Sequence, residues 1–264
     1  MPHGTLRQVS FHSASLGRKE SYTVYLPPGY AAAARSGQRF GVLYLLHGSP
    51  GTPKLLYDVS GIGPRVDTLE HKGAIKPMIL VLPRGSDGTF HNDTEWADSP
   101  HGRYGSFVTD VVHHVDAHFA THADRRWRAL AGISEGAYGA LNLTLTHLPL
   151  FATAESWSGY YSQTPTGPFA TASSAQVAAA SPAQYVSGLG RALARYPTHM
   201  LVYNGRHDHY LDVGAFRSFT RGLSAAGADV SAHLLAGGHT WRLWRREIPY
   251  ALDYFSRHMG VGAR

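Results

Sequence analysis

Four continuous apolar runs organise the chain: Gly41 to Leu46, Met78 to Leu82, Trp127 to Ala131 and His199 to Tyr203. Each is bounded by turn residues, as expected of strands buried on both faces. Weaker strand patterns cover 152–157 and 229–234. Upstream, Arg7 to Phe11 and Ser21 to Leu26 flank Gly17-Arg18 and predict an antiparallel hairpin that Pro27-Pro28-Gly29 ends. The segment from Ala31 to Arg39 reads as a loop.

Apolar residues at helical spacing separate the later strands. Val108, Val111, Val112, Val115 and Phe119 form one set; Leu141, Leu145 and Leu148 form another. Phe216, Phe219 and Leu223 mark a third helix, and Leu252, Phe255 and Met259 the last. Strands alternating with helices imply an α/β fold with a mostly parallel central sheet covered on both faces. Ligands in such sheets sit beyond the carboxyl ends of the strands. The stretch 163–196, after the sixth strand, is rich in Ala, Ser, Pro and Gly. It is too long for a plain connection and is expected to be a partly helical insertion or lid. The whole chain, 1–264, is expected to be one domain.

Composition narrows the chemistry. There is no Cys, which excludes a disulfide framework, a thiolate nucleophile and Cys-based metal sites. The formal charge is +6, but the basic residues are scattered, so no nucleic-acid partner is expected. No run approaches the ~20 apolar residues of a membrane span. The N-terminus lacks the layout of a signal peptide. The expectation is a cytoplasmic protein if the chain is complete, and an extracytoplasmic one if a leader was removed.

The strongest motif is Gly132-Ile133-Ser134-Glu135-Gly136, a G-x-S-x-G between the strand ending at Ala131 and a helical stretch over 137–147. In that context the Ser sits on a sharp turn, and flanking glycines remove the clash. A Ser hydroxyl needs a base, most often a His held by a carboxylate. Of 17 His, His239 lies on the glycine-flanked loop after the last strand, where the base follows nucleophile and acid in chain order. His233 lies inside a strand and His258 is expected at the surface. Asp208 follows the strand ending at Tyr203 and is the favoured acid. Asp212 reads better as a helix cap. The oxyanion of such chemistry needs two donors. One is the Glu135 amide. Either Gly48 or Ser49 supplies the other, because Pro50 has no N–H.

These residues, with Tyr44-Leu45-Leu46-His47-Gly48, Val115-Asp116-Ala117-His118-Phe119, Trp157-Ser158-Gly159 and Gly238-His239-Thr240-Trp241-Arg242-Leu243-Trp244, resemble the putative esterase family of α/β-hydrolases. That group includes feruloyl esterases, S-formylglutathione hydrolases and mycolyltransferases. The resemblance implies an α/β-hydrolase fold with Ser134 as nucleophile, Asp208 as acid, His239 as base and Ser49 as the second oxyanion amide. Glu135 departs from the neutral residue common after the nucleophile and would put a charge near the site entrance. His47 stands where the mycolyltransferases carry Asp, which argues against that branch.

The expected activity is therefore that of a serine carboxylester hydrolase forming an acyl-enzyme on small-molecule esters, with no cofactor and no metal. An acyltransferase using the same triad, or a non-catalytic binding module, are the alternatives. Gly48, Trp96, Tyr160 and Trp241 are candidate pocket residues. The polar loop Asp87-Gly88 and His91-Asn92-Asp93 is a candidate rim. His114 and His118, one helical turn apart, could bind a metal, but a structural role is favoured.

Overall fold

The computed structural model describes residues 2–89 and 93–261. Its strands are β1 (Thr5–Ser13), β2 (Arg18–Leu26), β3 (Gly41–Leu46), β4 (Met78–Pro83), a small ribbon of β5 (Asp98–Ser99) and β6 (Gly102–Arg103), β7 (Arg128–Ile133), β8 (Thr153–Trp157), β9 (His199–Gly205) and β10 (Asp229–Leu235). Eight of them form one sheet in the order β1-β2-β4-β3-β7-β8-β9-β10. The hairpin β1–β2 joins β4 antiparallel, and every later pairing in this sheet is parallel. Strand order reverses beside β3 and β7, which places a crevice at their carboxyl ends.

The helices are α1 (Tyr30–Arg35), α2 (Pro53–Ser60), α3 (Ile62–His71), α4 (Tyr104–His118), α5 (Glu135–Thr146), α6 (Ser174–Ala179), α7 (Pro182–Tyr185), α8 (Gly190–Arg195), α9 (Val213–Ala225) and α10 (Trp241–His258). Pleat alternation in β3 explains why its run is unbroken. Leu43 and Leu45 join the core under α2, α3 and α10, with Leu56, Val66, Leu252 and Phe255. Val42, Tyr44 and Leu46 join the opposite core under α4, with Phe107, Val111 and Val115. Each such side chain contributes roughly 1.5–3 kcal/mol by leaving water. β10, at the sheet edge, is half-exposed, which is why its pattern is weak.

Several expectations need correction. The segment 31–39 contains α1, whose residues are mostly small and none of which is buried. Phe119 and Met259 are C-cap positions rather than helical ones, and Leu148 lies beyond the end of α5. The segment 163–196 holds α6, α7 and α8. It packs through Val186 and Leu193 against Leu141 and Leu145 of α5 and Phe216 and Phe219 of α9. The Asp116 motif serves the fold: Asp116 pairs with Arg128 and accepts from Thr121 Oγ1 at 2.7 Å.

One buried charge site yields a stability prediction. Glu155 on β8 is fully buried; Trp157 Nε1 donates to its Oε2 at 3.1 Å, and its Oε1 has no partner among the described residues. Burial pushes its carboxyl well above the ordinary 4.5. The unfolded chain ionises this group near 4.5, and the folded one only at higher pH. The folded state therefore holds more protons, and stability falls as pH rises. Glu155→Gln removes the titration. Its unfolding free energy relative to the parent should rise from pH 5 to pH 8, by at most about 1.4 kcal/mol per pH unit, read as a pH-dependent gap between the two melting temperatures. A difference independent of pH would refute the linkage. The buried His47, lowered to about 4 by desolvation, opposes the trend in both proteins and cancels in the comparison.

Candidate active site

Ser134 stands at the end of β7 with φ 56° and ψ −119°, and its carbonyl accepts from Ala137 N at 3.0 Å and Tyr138 N at 3.1 Å in the first turn of α5. This turn demands glycines on both sides. A Cβ on Gly132 would lie 2.3 Å from the Gly136 carbonyl carbon, and one on Gly136 would lie 2.2 Å from Leu46 O. The close approach packs the start of α5 against the end of β3. Ser134 Oγ makes no hydrogen bond among the described residues and faces a cavity of about 160 Å³.

His239 lines the same cavity, brought there by the turn between β10 and α10. Its Nδ1 lies 2.7 Å from Asp208 Oδ2, and the Asp208 side chain is fully shielded from solvent. Tyr210 N donates to the other Asp208 oxygen at 2.9 Å. The carboxylate can only accept from the imidazole, which fixes the proton on Nδ1 and leaves Nε2 as the basic nitrogen. Trp244 and Tyr210 meet the His239 ring edge-to-face, each at 5.0 Å. Trp244 Nε1 also donates to Ser158 Oγ at 3.0 Å, which anchors that wall. Asp212 is elsewhere engaged: it caps α9 by accepting from Ala215 N at 3.0 Å.

The loop after β3 faces Ser134. A Cβ on Gly48 would lie 3.1 Å from Ser134 Cβ, so only glycine lets this loop come so close. The amides of Gly48, Ser49 and Glu135 have no acceptor among the described residues. His47 is buried and neutral, held at about 4 by desolvation, with Nδ1 donating to Gly48 O at 3.0 Å. Leu55, Leu56, Ile133, Trp241 and Trp244 supply the apolar lining.

Two pocket expectations are corrected, and a third residue lies apart. Trp96 is fully buried, so it cannot touch a ligand. Its Nε1 donates to His47 O at 2.9 Å and its ring packs between Gly85 and Gly139, which makes it a support beneath the loop after β3. The Glu135 carboxyl does not place charge at an entrance. It is 3% exposed, reached by Thr94 Oγ1 at 3.4 Å, and pushed well above the usual carboxylate range by burial, with Asp93 and Glu95 adding to the rise. Tyr160 does not line the Ser134 cavity. It stacks on Tyr138 at 5.1 Å, hydrogen-bonds to Glu95 and lines a separate cavity of about 450 Å³ against α9. Glu95 also accepts from Gln163 Nε2 at 2.8 Å, which ties the start of the 163–196 segment to this loop. Gly48 and Trp241 do line the Ser134 cavity. Of the expected rim, His91 and Asn92 lie outside the described residues.

Leu55 and Leu56 were not anticipated. Their signal was available: Thr52 caps α2 by accepting from Leu55 N at 3.2 Å, and Pro53 occupies the first helical position, directly after the loop.

Comparison with known proteins bears on the family and the fold. The family model described as "Putative esterase" matches residues 13–255. The chain is 33% identical over 151 residues to an endo-1,4-β-xylanase/feruloyl esterase of Xylanibacter ruminicola, covering 56% of this chain and 21% of that protein's length. Its fold is similar to that of a ferulic acid esterase (TM-score 0.85, 24% identity, 98% of this chain and 100% of the other). It is also similar to an S-formylglutathione hydrolase from Agrobacterium tumefaciens (TM-score 0.78, 17% identity, 98% and 97%).

Proposed function

The chain belongs to the putative esterase family, and from that premise we propose that it is a serine carboxylic ester hydrolase working through Ser134, His239 and Asp208. The observation that carries this reading is that His239, lining the same cavity as Ser134, has its Nδ1 2.7 Å from the shielded Asp208 carboxylate.

His239 Nε2 takes the Ser134 proton as Oγ attacks the ester carbonyl. The tetrahedral oxygen gathers negative charge and is held by the Ser49 and Glu135 amides. His239 then gives its proton to the departing alcohol, leaving the acyl group on Ser134. Water, deprotonated by the same nitrogen, attacks the acyl-enzyme. Collapse releases the acid and restores Ser134. Asp208 stabilises the imidazolium in both halves.

The cavity size bears on substrate class. About 150 Å³ of apolar space accepts one benzene ring, and the Ser134 cavity has about 160 Å³ lined by Leu, Ile and Trp. A short acyl chain or a single aryl ring fits. The relatives named as feruloyl esterases support including a hydroxycinnamate in the test panel.

A fluorophosphonate probe should label Ser134. p-Nitrophenyl acetate or butyrate, or methyl ferulate, should be turned over at least about tenfold faster than p-nitrophenyl laurate. A protein that takes no label would be a binding module. One that prefers laurate would overturn the short-acyl reading while leaving the triad standing.

A further inference from the structure

The sheet's amino-terminal edge, opposite the candidate active site, carries a second cluster of chemistry-bearing side chains. His199 is the first residue of β9, Asp229 is the first of β10, and the two are direct partners in the parallel ladder. His258 is the last residue of α10, and its ring stands 4.0 Å from that of His199. One donor atom from each of the three lies within 4.8 Å of the other two.

Hydrogen bonding fixes which nitrogens are free. His199 Nδ1 lies 2.8 Å from Asp229 Oδ2, and His258 Nδ1 lies 2.7 Å from the Tyr254 carbonyl. A carboxylate and a carbonyl can only accept, so both imidazoles carry their proton on Nδ1. Each Nε2 is left as a lone pair. His199 is 5% exposed, and its Nε2 has no partner among the described residues. A buried, unsatisfied polar atom of this kind calls for an occupant. The neighbouring Arg257 does not compete: its guanidinium pairs with Asp253 at 2.9 Å and is half-exposed.

We propose that His199 and His258 bind one divalent cation of the zinc class through their Nε2 atoms, with Asp229 orienting His199 and water completing the shell. A carboxylate on the far nitrogen of a ligating imidazole is the usual outer support of such sites, and imidazole donors select zinc-class ions over magnesium or calcium. Zinc holds two imidazole nitrogens no more than about 4.2 Å apart, so ligation requires the two rings, 4.0 Å apart at their centroids, to turn both Nε2 atoms toward one point. Half-buried His258 leaves the ion open to solvent on one side. The cation would tie the C-terminal turn of α10 to the edge of the sheet. It would not take part in ester chemistry.

The test is calorimetric titration of the EDTA-treated full chain with zinc chloride, paired with thermal melting. One saturable equivalent is expected. The melting temperature should rise by roughly 5–10 °C at a hundredfold excess over Kd. His258→Ala should abolish this equivalent, and Asp229→Asn, at an exposed position that tolerates the change, should weaken it about 10–100-fold. His118→Ala should leave it intact. Ester hydrolysis should be retained in all three variants, which separates this site from the triad. Absence of a one-to-one event, or its loss in the His118 variant instead, would overturn the proposal.

Discussion

Ser134→Ala should lower kcat/KM for p-nitrophenyl butyrate by about five to six decades, the loss seen when a triad loses its nucleophile. The fold should be unaffected. Ser134 Oγ makes no hydrogen bond among the described residues, so its removal strands no partner. Ala also keeps the Cβ, so the backbone at φ 56° is no more strained than before. The melting temperature should stay within about 2 °C. What activity remains would come from the oxyanion amides and substrate binding alone. A variant keeping more than a hundredth of the parent rate would show that another group attacks the ester.

The second large effect distinguishes two aspartates four residues apart. Asp208→Asn keeps the shape but turns an obligate acceptor into a group that can donate, which favours the wrong imidazole tautomer. A loss near 10⁴-fold in kcat is expected. Asp212→Asn should leave kcat unchanged and cost well under 1 kcal/mol, because Asn caps a helix about as well as Asp. Measuring kcat and melting temperature for both variants settles the matter. An active Asp208 variant beside an inactive Asp212 variant would reverse the assignment.

Much of this arrangement was legible in the sequence because it depends on local rules. The unbroken run over 41–46 follows from burial on both faces, and the spacing of Gly132, Ser134 and Gly136 follows from sterics at one turn. Asp212 declared itself a cap by its place before α9. What was not legible depends on where distant segments meet. Trp96 looks like a pocket aromatic until its ring is seen wedged between Gly85 and Gly139. Glu135 looks like a surface charge in a first helical turn until the chain from Asp93 to Glu95 folds over it. His258 reads as a surface residue of a terminal helix until β9 brings His199 against it.

The sheet order bears on how this fold forms as the chain is synthesised. The central strands β3, β4 and β7 and the elbow at Ser134 precede β9 and β10, so Ser134 is synthesised well before Asp208 and His239. Asp208 and His239 follow only with β9 and β10, and α10, which covers one face of β3 and β4 through Leu252 and Phe255, comes after them. A nascent chain can thus present Ser134 before Asp208 and His239 exist, with one sheet face still bare. The loop that carries His239 and the helix that closes this face of the core therefore arrive together.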